Sequence, residues 1–321
     1  MAMQFWQEKR RLRRNTLFCL LVYLVLACAV GYLFEIAVRF FAEEGYTPPL
    51  PYLGYALFAF ICVVSCFYYL GYAGFGGSMV AESMGGLEIT QENAQNPKVA
   101  TLLNIVEEIA IASRLPMPRI YLIEANEINA FAAGLKPEKS VIAVTTGALN
   151  ALSREEMQGV IAHEFGHIST GDMRLGMRLA ALLMGFFIVF YIGLRLLEGS
   201  LLFGGRGSGR NGGRGNSTAL IALLLLVAGL VLWFAGTVLR ACVSRQREYM
   251  ADASAVEFTR NPSGIASALR KIATYNEKMQ DMPKSGLGYA HLYFDNRSFW
   301  CRLFATHPPI EKRIDALMGK K

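Results

Sequence analysis

The chain has 321 residues, 53% of them apolar and 18% charged, with a formal net charge of +7. A mean hydropathy of +0.32 is too high for an ordinary soluble enzyme and points to spans in a bilayer, within a length that allows one or two domains. The positive charge does not mark a nucleic-acid binder: Lys9, Arg10, Arg11, Arg13 and Arg14 stand directly before an apolar run, which reads as a topology signal.

The first uncharged apolar run is Leu17–Phe34, extended by Ile36–Val38 around Glu35, and the second is Pro51–Phe75. Both reach the roughly 20 residues that cross a hydrocarbon core. The turn between them carries Glu43, Glu44, Pro48 and Pro49 and no basic residue after Arg39. With the basic cluster held in the cytoplasm, this hairpin crosses out and back, so the chain after residue 75 is expected in the cytoplasm. Ala27-Cys28-Ala29 satisfies a signal-peptidase pattern, but the apolar run continues past it, and cleavage there leaves the same final side. Cys19, Cys28, Cys62 and Cys66 lie inside apolar runs, Cys242 at the end of another and Cys301 in a distal loop. Without a CxxC spacing they read as small hydrophobes, not as a disulfide or zinc-ribbon framework.

Helical apolar spacing at Val99, Leu102, Leu103, Ile105, Val106 and Ile109 predicts a helix over Pro97–Arg114. Arg119–Ile123 and Val141–Thr145 are short β-branched runs bounded by Pro, Gly and Ser, and predict strands; Asn129–Ala133 is a third. Ser153 followed by Glu156 is a capping-box start to a helix that carries Val160, Ile161 and Phe165 into the histidines. The expected fold is α+β: a multi-pass membrane protein with a mostly helical domain around these histidines and a small sheet.

His163-Glu164-Phe165-Gly166-His167 uses two of the four histidines in the chain. Histidines at i and i+4 project from one side of a helix and can share one ion, and the intervening Glu can reach the water such an ion activates. The plain alternative is two histidines on a solvated helix face. A catalytic zinc site needs a third protein ligand and one open position. Positions 171 and 173 are Gly and Met, so no third histidine lies nearby. Glu248, just after the fourth apolar run, is the best carboxylate candidate. Asp252, four residues on and on the same face, is placed to accept the outer ring N–H of a ligand histidine. Alone, such a pair is often only a solvated face.

A second apolar pair, Leu179–Leu194 and Ala219–Leu239, flanks a Gly/Arg/Ser/Asn segment, Gly204–Asn216. That segment reads as a flexible hairpin loop, with an RGG-type RNA-binding segment as the alternative. If the loop lies outside, Arg206, Arg210 and Arg214 oppose Arg174, Arg178, Arg240, Arg245 and Arg247, so the inside leads by five to three. The first run of the pair is short for a span, and a hairpin that dips into the membrane or packs without spanning stays open. The expected division is a basic cytoplasmic N-terminus (1–15), a transmembrane hairpin (16–75), the first part of the metal-site domain with the histidine pair (76–175), a second hydrophobic hairpin (176–241) and the second part of that domain with the third ligand (242–321).

These residues resemble the HtpX-type membrane metalloproteases, relatives of the CAAX prenyl proteases in the gluzincin clan. The resemblance runs from about residue 16 to the end. It includes the first span pair, Asn129-Ala130-Phe131-Ala132, His163–His167 followed by Gly171-Asp172, the second apolar pair, Glu248 through Asp252, and His307-Pro308 with Arg313. The long basic N-terminal segment and the Gly/Arg-rich loop depart from the family pattern. The resemblance implies one Zn2+ per chain held by His163, His167 and Glu248, with Glu164 as general base. It also implies that His307 and Arg313 lie near the site as donors to the oxyanion; the plain alternative for His307 is a capping histidine before a Pro-started helix. His291 has no ligand spacing and reads as structural. Asn129, Ala130, Phe131 and Ala132 resemble the edge strand on which gluzincins lay their substrate, or form an ordinary sheet edge. The expected partners are the lipid bilayer and polypeptide substrates, above all membrane proteins, and no nucleic acid; oligomeric state is not legible. The expected role is quality control of unfolded or damaged proteins in a bacterial inner membrane, with the active site facing the cytoplasm. A processing protease for prenylated or signal-type tails and an inactive zinc-stabilised scaffold are the alternatives. The intact Glu164 argues against the scaffold.

Overall fold

The computed structural model describes residues 2–41, 53–92, 96–203, 213–278 and 309–319. His291, Cys301, His307 and most of the Gly/Arg-rich loop lie outside the described residues. The chain divides into two compact units, Met1–Tyr69 with Arg178–Leu239, and Leu70–Met177 with Arg240–Lys321.

Among its described residues the first unit is all helix. It is built from parts of α1 (Ala2–Phe41), α2 (Leu53–Phe75), α7 (Asp172–Phe203) and α8 (Gly213–Thr259). Among the described residues, four stretches are long and apolar enough to cross a membrane: Leu20–Phe40, Leu53–Phe75, Asp172–Ser200 and Ala219–Gly236. The third is longer than its apolar run, because the helix continues through the flanking Arg178 and Arg195 to a length of 29 residues, about 43 Å. Tyr23, Ala27, Val30, Phe34 and Val38 repeat at helical spacing and bury one face of α1 against Leu57, Ile61, Phe186 and Val189. Glycines permit the close approach that membrane helices need: a Cβ on Gly54 would meet Gly31 O at 2.2 Å, and one on Gly229 would meet Phe190 N at 2.3 Å. Buried polar groups are tied off, with Tyr23 and Ser65 hydroxyls 2.7 Å apart and Gly54 N donating to Glu35 at 2.8 Å. Phe18, Leu21, Val25, Leu33, Val63 and Phe67 are exposed, as lipid-facing side chains are. Cys28, Cys62 and Cys66 are free thiols.

The second unit holds a four-stranded sheet with helices packed on it. Its strands are β1 (Leu87–Ile89), β2 (Arg119–Ile123), β3 (Ala130–Ala133) and β4 (Val141–Thr145), in the order β1-β2-β4-β3. β2 and β4 run parallel; β1 and β3 are antiparallel edges, β3 in the register Ala130↔Val144 to Ala133↔Val141. Every residue of β4 is buried, which is why it reads as a continuous apolar run and not as an alternation. Thr145 fixes the start of β3 by accepting a hydrogen bond from Asn129 N at 3.0 Å. α4 (Pro97–Ser113) opens on an Asn96 cap with Pro97 at its first position, and buries the predicted stripe from Val99 to Ile109. α3 (Ser78–Ser83), α5 (Thr146–Ala151), α9 (Pro262–Lys278) and α10 (Ile310–Leu317) also belong to the described part of the unit.

α6 (Arg154–Thr170) is its central helix. The capping box forms as the sequence predicts, with Ser153 N donating to Glu156 Oε2 at 2.8 Å. Glu156 does more than cap: it accepts from Ser267 Oγ and Lys271 Nζ of α9, each at 2.7 Å. Burial pushes its carboxyl up, but Lys271, the Ser153 N–H and Ser267 outweigh that and hold it below the ordinary Glu value. This clamp locks α9 onto the helix that bears the histidines.

Candidate metal centre

α6 presents His163 and His167 on one face, their ring centroids 4.8 Å apart and the rings nearly perpendicular. The C-terminal part of α8 supplies the third donor. It comes close because position 166 is glycine: a Cβ there would meet the Ala251 backbone at 2.9–3.0 Å. Glu248 then stands over the pair, with Oε2 3.6 Å from His163 Nε2 and Oε1 3.6 Å from His167 Nε2.

One ligand atom from each of His163, His167 and Glu248 lies within 4.8 Å of the others. The nitrogen–oxygen distances of 3.6 Å are too long for hydrogen bonds. They suit donors that share an ion: two atoms about 2.0–2.1 Å from one tetrahedral metal stand roughly 3.3 Å apart. The charge balance points the same way. Glu164, Asp172, Glu248 and Asp252 are four buried carboxylates around two guanidiniums, Arg247 and Arg313, an excess of two negative charges. A divalent cation cancels it. The residues present therefore fit a metal ion.

Each histidine has a carboxylate behind it. Asp252 Oδ1 is 2.9 Å from His163 Nδ1, and Asp172 Oδ2 is 3.7 Å from His167 Nδ1. Burial favours the neutral form of His163, but Asp252 and Glu248 outweigh it and raise the ring to about 9. The same two carboxylates that draw a proton to the ring favour a metal cation in its place. Asp252 is held at about 2: burial opposes ionisation, but Arg313 and His163 stabilise the carboxylate more strongly.

Glu164, Glu248, Asp252 and His163 are almost fully buried, whereas the His167 side chain keeps 17% exposure, so the centre opens on the side of His167. Arg313, on α10, is completely buried. Its Nε and Nη2 grip Asp252 at 2.8 and 2.7 Å, and Nη1 lies 3.3 Å from Glu248 Oε2. Sequence reasoning expects Arg313 near the site as a donor to the oxyanion; its guanidinium lies at the centre and faces two of its acids, Asp252 and Glu248. Asn129 to Ala132 run into the edge strand β3, packed against α6, with Asn129 and Phe131 buried. His307 lies outside the described residues.

Sequence reasoning missed Asp172 and Arg247 as parts of this centre, although Asp172 follows His167 by five residues and Arg247 immediately precedes Glu248. The signal was present but ambiguous. An acid at a helix start and a basic residue beside a membrane span each have an ordinary explanation.

The profile of peptidase family M48 matches residues 96–321. The protease HtpX homolog of Ligilactobacillus salivarius is 41% identical over 257 residues, 79% of this chain and 83% of that protein. The protease HtpX homolog of Listeria monocytogenes serotype 4a is 34% identical over 95% of this chain and 96% of that protein. Among solved structures the chain is similar to S. mikatae Ste24p, with a TM-score of 0.47 and 19% identity over 98% of this chain and 67% of that one. Because the matched region runs from the cap of α4 to the end of the chain and takes in every residue of the centre, the chain belongs to peptidase family M48, as a membrane metalloendopeptidase.

Proposed function

We propose that this protein is a zinc-dependent endopeptidase of a bacterial inner membrane that cleaves unfolded or damaged membrane proteins, with its catalytic centre facing the cytoplasm. The carrying observation is the cluster of His163, His167 and Glu248, with Glu164 next to His163 on α6. Two imidazoles and one carboxylate suit zinc among the available divalent ions. Bound there, zinc supplies a Lewis acid for the scissile carbonyl and makes water a nucleophile near neutral pH.

The protein's own residues do the rest. Glu164 takes the proton from the attacking water and returns it to the leaving amine. Asp252 holds the His163 ring by its Nδ1–H, and Arg313 fixes Asp252 and Glu248 in turn. We assign Arg313 as a positioning residue on this basis. The edge strand β3, led by Asn129, offers backbone pairing to an extended substrate, which demands local unfolding but little sequence. The names of the HtpX relatives support the protease reading. The cytoplasmic side is supported by the basic residues between Lys9 and Arg14 ahead of the first span.

Purified in detergent, the full chain is expected to carry about one zinc and to cleave casein. Stripping the metal with a chelator should abolish cleavage, and added zinc should restore it. Full activity in the stripped protein would contradict the proposal.

A further inference from the structure

The two histidines of the centre are backed by two similar relays. His163 leans on Asp252, which is gripped by Arg313. His167 faces Asp172, which is paired with Arg247, Nε to Oδ1 at 3.1 Å. We infer that Asp172, held by Arg247, is the positioning carboxylate for His167 and braces the α6–α7 corner to the segment of α8 that carries Glu248. This inference rests on the metal reading above.

Asp172 is the first residue of α7, and Gly171 before it turns the chain with φ +77°, which directs the acid back toward α6. The carboxylate is buried, and its Oδ2, the oxygen nearer His167, accepts no hydrogen bond among the described residues. A metal on Nε2 leaves the Nδ1–H of His167 as a donor. At 3.7 Å that nitrogen stands just outside hydrogen-bonding distance of Oδ2, so a small ring rotation completes the contact. The sequence position of Arg247 gives the pair its second function. The residue next to Glu248 is tied to the residue behind His167, so displacing either one shifts a ligand. His167 is the more exposed ligand, so an acid behind it matters more for fixing its ring.

The alternative is that Asp172 serves only the N-terminus of α7. Three full-length variants separate the two: Asp172→Ala, Asp172→Asn, which keeps an oxygen at the helix start without the charge, and Arg247→Met. Zinc affinity would be measured in detergent by competition with a chromophoric chelator, alongside thermal melting of the metal-free proteins. Asp172→Ala should weaken zinc about 10- to 100-fold, and Asp172→Asn and Arg247→Met by smaller factors, in each case by more than the metal-free protein loses in stability. Wild-type zinc affinity in Asp172→Ala and Asp172→Asn would overturn the inference while leaving the zinc reading intact. So would a loss of affinity matched by an equal loss of metal-free stability. A wild-type chain that binds no zinc would remove both.

Discussion

Glu164→Gln is expected to retain zinc and to cleave an unfolded polypeptide about 10²- to 10⁴-fold more slowly than wild type, the usual worth of a general acid–base group. The amide has the size of the carboxylate and fits the same buried place, so the helix and the two histidines stay as they are. It cannot accept a proton at neutral pH. Metal analysis and casein cleavage on the same preparation separate the two properties. Equal cleavage by both proteins would remove Glu164 from the mechanism. A variant that loses zinc would mean that its charge helps to hold the ion.

Glu248→Ala should show the opposite pattern, losing metal first and activity as a consequence. The substitution removes one of three donors, so zinc affinity should fall by more than the roughly 10- to 100-fold that an outer-shell partner is worth. It also takes an acid from beside Arg313, which then keeps Asp252 as its partner in the centre. Because Arg313 keeps Asp252 and the metal-free centre carries an excess of acids, the loss should appear in zinc binding and not in the melting of the metal-free protein. Glu248→Gln, which keeps the shape and an oxygen donor, should fall between the two. Wild-type zinc content in Glu248→Ala would exclude Glu248 as a ligand.

These two residues also show how far the sequence could be read. β2 and β4 are legible to the residue, because β-branched runs between Pro, Gly and Ser have few other outcomes. α4 and the capping box of α6 are equally plain. The pairing of His163 with His167 is a matter of helical spacing alone. Glu248 and Asp252 required one long-range step, across a hydrophobic hairpin, that only the strength of the first motif justified. What was not legible depends on packing. β1 is three residues long, and only its pairing with β2 defines it as a strand. α3 and α5 are six residues each, too short for a periodic pattern to emerge. Glu156 announces a cap but not its clamp on Lys271, which lies 115 residues away. Asp172 and Arg247 announce a helix start and a membrane flank but not their meeting behind His167. The role of Gly166 depends on the Ala251 backbone lying against it, which no local pattern records.

Zinc-edge X-ray absorption on the purified full-length protein and on Glu248→Ala shows whether two distant parts of the chain hold one metal between them. Two imidazole nitrogens and carboxylate or water oxygen, all at about 2.0–2.2 Å, are the expected ligands in wild type, with no sulfur. A sulfur shell near 2.3 Å, a single imidazole, or a wild-type zinc signal in Glu248→Ala would contradict a shared site.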